Sequence, residues 1–132
     1  MNIEYSESLS ASDFSKLRKS VGFHNTPERH LKSALDKSDY VVSAIVNGTA
    51  IGMARLISDG MQVLIMDVIV EPKYQGCGVG KGLMQKIRQY IDSMDNPRVI
   101  ANLITDDRKA LFYENLGYQK TVGMRLCAER ND

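Results

Sequence analysis

The stretch Val68-Ile69-Val70-Glu71-Pro72-Lys73-Tyr74-Gln75-Gly76-Cys77-Gly78-Val79-Gly80-Lys81-Gly82 constrains this chain more than any other. An apolar run ends at Glu71-Pro72. Four glycines then alternate with other residues, and Val79, Leu83, Ile87, Ile91 and Met94 resume at helical spacing. Closely spaced glycines let a backbone approach a ligand and take conformations a Cβ forbids. A helix start adds unpaired N–H groups and the positive end of a dipole, which suit a phosphate. The stretch therefore predicts a strand, a phosphate cradle built from backbone, and a helix. An ordinary glycine-rich turn is the alternative, but four glycines would weaken the helix without a reason.

Two common cradles do not fit. A Walker A loop needs Gly, four residues, then Gly-Lys-Ser/Thr. Here Gly82 follows Gly80-Lys81, and Gln75 stands where the first glycine belongs. A dinucleotide fingerprint needs G-x-G-x-x-G, and the last position falls on Lys81 or Leu83. The pattern Gln/Arg-x-x-Gly-x-Gly/Ala does fit, as Gln75-Gly76-Cys77-Gly78-Val79-Gly80. This stretch resembles the pyrophosphate loop of the GNAT N-acetyltransferases. A second segment, Ala110-Leu111-Phe112-Tyr113-Glu114-Asn115-Leu116-Gly117-Tyr118, is similar to the family's F-Y-x-x-x-G-F/Y segment.

The 132 residues are read as one domain, 1–132, long enough to bury a core without disulfides or metal. A net charge of +1 gives no electrostatic case for nucleic acid or an anionic membrane. Cys77 and Cys127 form no metal or redox motif. Met1-Asn2-Ile3-Glu4-Tyr5 lacks the features of a signal peptide, and no apolar segment approaches a membrane span. Cytoplasmic residence is the resulting expectation.

Ile3 to Tyr5 reads as a short strand, and Ser12 as the cap of a helix bearing Phe14, Leu17 and Val21. Thr26-Pro27 starts a second helix. Tyr40–Val46, Ala50–Ile57 and Met61–Val70 read as an antiparallel meander, its first turn at Asn47-Gly48. After the glycine loop and its helix comes a strand, Val99–Ile104, which implies a parallel pair with a right-handed crossover. Thr105, Asp106 or Asp107 caps a short helix, and Gly117 ends it. Tyr118–Val122 and Met124–Ala128 read as a closing hairpin around Gly123. The order β-α-α-β-β-β-α-β-α-β-β, an α/β class with a mixed sheet, is that of the acetyltransferase fold the motifs resemble.

The resemblance implies acetyl-CoA as cosubstrate, with no metal required. It places the cofactor where the fourth and fifth strands splay apart. Backbone groups of Val68 and Val70 would pair with the pantetheine arm like an added strand. An N–H near Ile69 or Val70 would polarise the thioester carbonyl. Gly76, Cys77, Gly78, Val79, Gly80 and Lys81 would hold the pyrophosphate, with Gln75 donating a side-chain hydrogen bond. Lys81 either adds charge there or is solvated, with only its N–H in play. Tyr113 would bind beside the sulfur and protonate the departing thiolate, or merely pack against pantetheine. Phe112 is expected in the core. Asn102 is a candidate contact to a pantetheine amide.

The base is less legible. Asp67, a carboxylate inside an apolar strand, is costly without a partner. It either drains the substrate proton through water or is a structural residue bonded to an arginine or backbone group. Phe23 and His24 lie in the loop expected on the substrate side, with Asp59 and Arg125 as further contacts, although Asp59 reads better as a turn former. Cys77 reads as a small loop residue. These assignments imply an N-acetyltransferase in which a primary amine, of a small molecule rather than a protein, attacks the thioester directly in a ternary complex. An acyl-CoA-binding sensor or partner subunit with little catalysis is the alternative. A homodimer is plausible by resemblance, with no interface signature in the sequence.

Overall fold

The fold is seen in a computed structural model that describes residues 1–129. Ser10 rather than Ser12 starts the first helix: the Asp13 amide donates to its hydroxyl oxygen at 3.0 Å, satisfying one of the four free N–H groups of a helix start. In order, the elements are β1 (Glu4–Ser6), α1 (Ala11–Ser20), α2 (Glu28–Lys37), β2 (Tyr40–Val46), β3 (Thr49–Ser58), β4 (Gln62–Val70), α3 (Val79–Asp92), β5 (Ile100–Leu103) and α4 (Asp107–Glu114). Asn47 and Gly48 both take positive φ, 50° and 77°, as a tight turn between twisted strands requires.

The strands form one sheet in the order β1-β2-β3-β4-β5. Neighbours are antiparallel as far as β4, and β4 pairs with β5 in parallel, α3 making the crossover. Helix α3 turns Val79, Leu83, Met84 and Ile87 onto one face of the sheet, against Val42, Ala44, Leu56 and Ile65. Helices α1 and α2 bring Phe14, Leu17 and Leu31 onto Met53 and Ile69. Each such side chain contributes roughly 1.5–3 kcal/mol of burial free energy. A Cβ on Gly82 would overlap the Tyr5 ring and hydroxyl, so this glycine lets β1 pack on α3.

One irregularity opens the site. Met53 pairs with Ile69 and Arg55 with Met66, so Asp67 and Val68 stand opposite Ala54 alone. Asp67 has φ 53°, rare for a residue with a Cβ. Such a bulge bends its strand. Pairing between β4 and β5 stops at Ile65 and Leu103, and among the described residues β4 runs on to Val70 without a strand partner on that side.

The closing hairpin is a correction. Tyr118–Val122 and Met124–Ala128 form no strand and carry no ladder to each other. Alternating apolar residues become a strand only beside an edge that takes their hydrogen bonds, and a lone two-stranded ribbon is marginal. The Tyr118 amide instead donates to the Tyr113 carbonyl, closing α4 with Gly117 at φ 97°. Among the described residues no helix is long and apolar enough to cross a membrane.

Candidate active site

Beyond β4, one turn of 3-10 helix (Pro72–Tyr74) leads into the glycine loop. Gly76 and Gly78 take φ of 80° and 82°, and a Cβ on either would meet nothing within 4 Å. They are glycine for the backbone conformation and for the open space above it. Gly80 differs: a Cβ there would sit 3.4 Å from the Phe112 ring and 3.8 Å from the Val70 side chain. Its place beside Phe112 brings the loop alongside α4. Among the described residues, the backbone amides between Gln75 and Gly82 find no backbone partner, and no side chain caps α3. The first bond is Gly82 N–H to the Gly78 carbonyl at 3.1 Å. Gly76, Cys77, Gly78, Val79, Gly80 and Lys81 thus present N–H groups at the positive end of a 14-residue helix. The Lys81 side chain is exposed.

Gln75 is placed otherwise than expected. Its side-chain amide donates to the Val70 carbonyl at 3.0 Å, tying the loop to the end of β4. Cys77 is exposed, and its thiol lies 3.8 Å from the Gln75 carbonyl.

The Glu71 amide donates to the Ile51 carbonyl in β3 at 2.8 Å. Strand alternation then turns the Ile69 amide toward β3 as well, and the Val70 amide toward the gap. The Ile69 side chain is buried between sheet and helices. Of the two amides named for the thioester carbonyl, that of Val70 faces the gap and that of Ile69 faces β3. Val68 lines the gap directly. Asn102 does not reach it: its side-chain amide faces Gln62 Oε1 at 3.4 Å, on the sheet surface.

The gap widens into an open cavity of ≈ 320 Å³, lined by Phe23, Asp67 and Val68 on one side and by Leu103, Asp106, Lys109, Tyr113 and Arg125 on the other. Tyr113 is buried, edge-on to Phe112 and Tyr118 at 5.0 and 5.9 Å. Burial first, then the neighbouring Tyr118 and Asp106, push its hydroxyl up to about 12. It stays protonated over the whole ordinary pH range. Phe112 is 37% exposed and covers Gly80, so it belongs to the loop's support rather than to the core.

Asp67 is held on both oxygens, by Arg55 Nε at 2.8 Å and Arg18 Nη1 at 3.2 Å, all three side chains largely buried. Arg18 lies over Phe23 and both guanidiniums flank Phe14. The geometry of Asp67 is that of the structural reading, an anchor of the bulge, and does not favour the proton drain. Arg18 also donates to the His24 carbonyl at 3.4 Å. That bond orients the loop so that Phe23 reaches the cavity, while His24 is exposed and outside its lining. Asp59 makes its turn, accepting from Met61 and Gln62 amides, both at 2.9 Å. Sequence reasoning missed Lys109 and gave Asp106 only as a cap. The Lys109 amide does donate to the Asp106 carboxylate at 3.0 Å. No periodicity marks a residue that reaches a cavity from a helix's first turn.

The site is thus a parallel strand pair parted by a bulge, followed by a loop of free amides and lined by a protonated tyrosine. A family profile described as an acetyltransferase (GNAT) domain matches residues 37–120. The histone acetyltransferase TAP1 of Glycine max is 33% identical over 81% of this chain and 51% of its own. An uncharacterized N-acetyltransferase, ycf52-like, of Prochlorococcus marinus is 33% identical over 88% of this chain and 66% of its own. The chain thus spans about half to two thirds of the length of these relatives. A probable acetyltransferase of unknown function from Staphylococcus aureus shares the fold, with TM-score 0.88 and 24% identity over 96% of this chain and 99% of that one. The chain belongs to the GNAT acetyltransferase family.

Proposed function

We propose that this protein transfers an acetyl group from acetyl-CoA to the primary amine of a small molecule, by direct attack with both substrates bound. One observation carries the reading: β4 runs past the end of its pairing with β5 with a Val70 amide that has no strand partner, the loop that follows it presents free amides, and Tyr113 lines the gap between the two strands. The residues fit an acyl-CoA. The loop amides suit its pyrophosphate, and the open edge at Val70 suits the amide-bearing pantetheine arm. Acetyl-CoA supplies the acetyl group as an activated thioester.

The Val70 N–H donates toward the carbonyl oxygen, a fixed dipole in place before charge develops. Tyr113 donates a hydrogen bond to the departing sulfur. Its raised pKa refines the acid role. Full transfer to an ordinary thiolate would run uphill by on the order of 4–5 kcal/mol, so Tyr113 acts first as a hydrogen-bond donor. Cys77 is not needed as a nucleophile, since a neutral amine attacks a thioester unaided.

The cavity size supports a small acceptor, being at the lower end of small-molecule pockets. The test is acetyl-CoA-dependent thiol release across arylalkylamines, polyamines, aminoglycosides, amino acids and a histone-tail peptide. At least one small amine should turn over faster than the peptide; the reverse ranking would assign a protein acceptor. Acetyl-CoA binding without release on any amine would leave a sensor. Tyr113→Phe removes one hydrogen bond to a charged group and should lower kcat roughly 10- to 100-fold, with acetyl-CoA affinity nearly unchanged. Cys77→Ala should stay active, with intersecting reciprocal plots.

A further inference from the structure

The charges around the cavity are unevenly matched. Among the described residues, four charged side chains belong to its lining residues: Asp67, Asp106, Lys109 and Arg125. Both carboxylates already have partners from outside the lining. Asp67 is held by Arg55 at 2.8 Å and by Arg18 at 3.2 Å. Asp106 accepts the Lys109 amide on one oxygen at 3.0 Å and pairs with Arg108 on the other at 3.3 Å. The two cations have no such partners. Among the described residues, neither the Lys109 ammonium nor the Arg125 guanidinium makes an ion pair.

These cations reach the cavity from different parts of the chain, the first turn of α4 and the segment after it. Lys109 and Tyr113 are four residues apart on α4 and so share one face of that helix. Tyr113 is neutral and leaves the balance positive. The phosphates of a carrier have the loop amides for partners, and no residue from 75 to 81 lines this cavity. Two like charges beside one cavity favour an anion between them and repel a second cation. A guanidinium also matches the paired oxygens of a carboxylate or a phosphate.

We infer that the acceptor amine carries an anionic group, a carboxylate or a phosphate monoester, which Lys109 and Arg125 bind. The inference rests on the cavity being the acceptor site of the proposed transferase. Polyamines and aminoglycosides, which bring only further positive charge, are poor acceptors on this account.

The test uses the full chain and matched pairs: glycine with glycinamide, phenylalanine with phenylalaninamide, and O-phosphoethanolamine with ethanolamine. Spermidine is the polycation. Isothermal titration into the CoA-loaded protein reads binding, and thiol release reads turnover. In at least one pair the anionic member should bind about tenfold tighter or more than its neutral partner, with spermidine weakest. The arm with the larger ratio names the anion. Lys109→Met and Arg125→Met should each bring that ratio toward one. Lys109→Glu with Arg125→Glu should reverse the ranking in favour of spermidine, with circular dichroism unchanged because both residues are exposed. A merely structural role would move stability and leave the ranking alone. Equal binding within every pair, no binding by any anionic member, or a charge reversal that weakens acetyl-CoA binding without altering the ranking would each overturn the inference. Anion preference in binding with no acetyl transfer to any amine would refute the proposed function and leave the anion site standing. Equal turnover and equal binding of neutral and anionic members would do the opposite.

Discussion

The two ends of the cleft are built from different materials. The carrier end, Val70 to Lys81, is made of main-chain groups: free amides, an unpaired strand edge and two glycines with positive φ. The acceptor end is made of side chains brought from four places: Phe23 after α1, Asp67 on the bulge, Lys109 and Tyr113 on α4, and Arg125 in the terminal segment. On the proposed function, main-chain groups would bind what is constant, a pyrophosphate and an amide-bearing arm. Side chains can be exchanged without moving the loop, so specificity can vary at one end while the other stays as it is.

The contrast makes the acceptor end sensitive to single charges and the carrier end sensitive to single Cβ atoms. The largest effect is expected at Asp67. Asp67→Ala leaves Arg18 and Arg55 largely buried without their common anion, a change that costs about 3–5 kcal/mol. Chemical denaturation measures it. A variant of normal stability whose activity alone collapses would instead return Asp67 to the role of base.

Next comes the alkaline limb of stability. Tyr113 has its pKa raised from 10.0 to about 12, and it is only 8% exposed. A raised folded-state value means the native state holds the proton more tightly than the unfolded chain. The contribution is complete below pH 10 and is lost as the pH climbs toward 12. Its size is about 2–3 kcal/mol. Denaturation curves between pH 8 and 12 should fall along that limb, and Tyr113→Phe should flatten it. A variant with the same alkaline slope would place the loss on another group.

At the carrier end, Gly78→Ala has space for its methyl group but must hold a left-handed φ, a strain of about 1–2 kcal/mol. Acetyl-CoA affinity should fall about tenfold. Gly80→Ala keeps a helical φ and would stand only in ordinary contact with the Phe112 ring, so its affinity should change much less than that of Gly78→Ala. Equal losses at both would erase the distinction between a conformational glycine and one that merely lies in a packed helix turn. The smallest change is Gln75→Ala. It removes one exposed hydrogen bond to the Val70 carbonyl, worth about 0.5–1.5 kcal/mol, and should weaken acetyl-CoA binding a few-fold by isothermal titration.

What the chain's order of residues determined by itself is local. Helix spacing, β-branched runs, Asn47-Gly48 and the glycine loop each act within a few residues, so the elements from β1 to α4 and the cradle could be read directly. Tyr113 was legible for the same reason, through a contiguous motif. The tertiary structure decided whatever depends on a partner distant in sequence. It turned the Ile69 amide toward β3, occupied Gln75 with Val70, and put Asn102 on the sheet surface. It gave Asp67 its partners, Arg18 and Arg55, 49 and 12 residues away. It also left Val122, Met124 and Leu126 in water, because an alternating pattern specifies a strand face but not the edge that receives it.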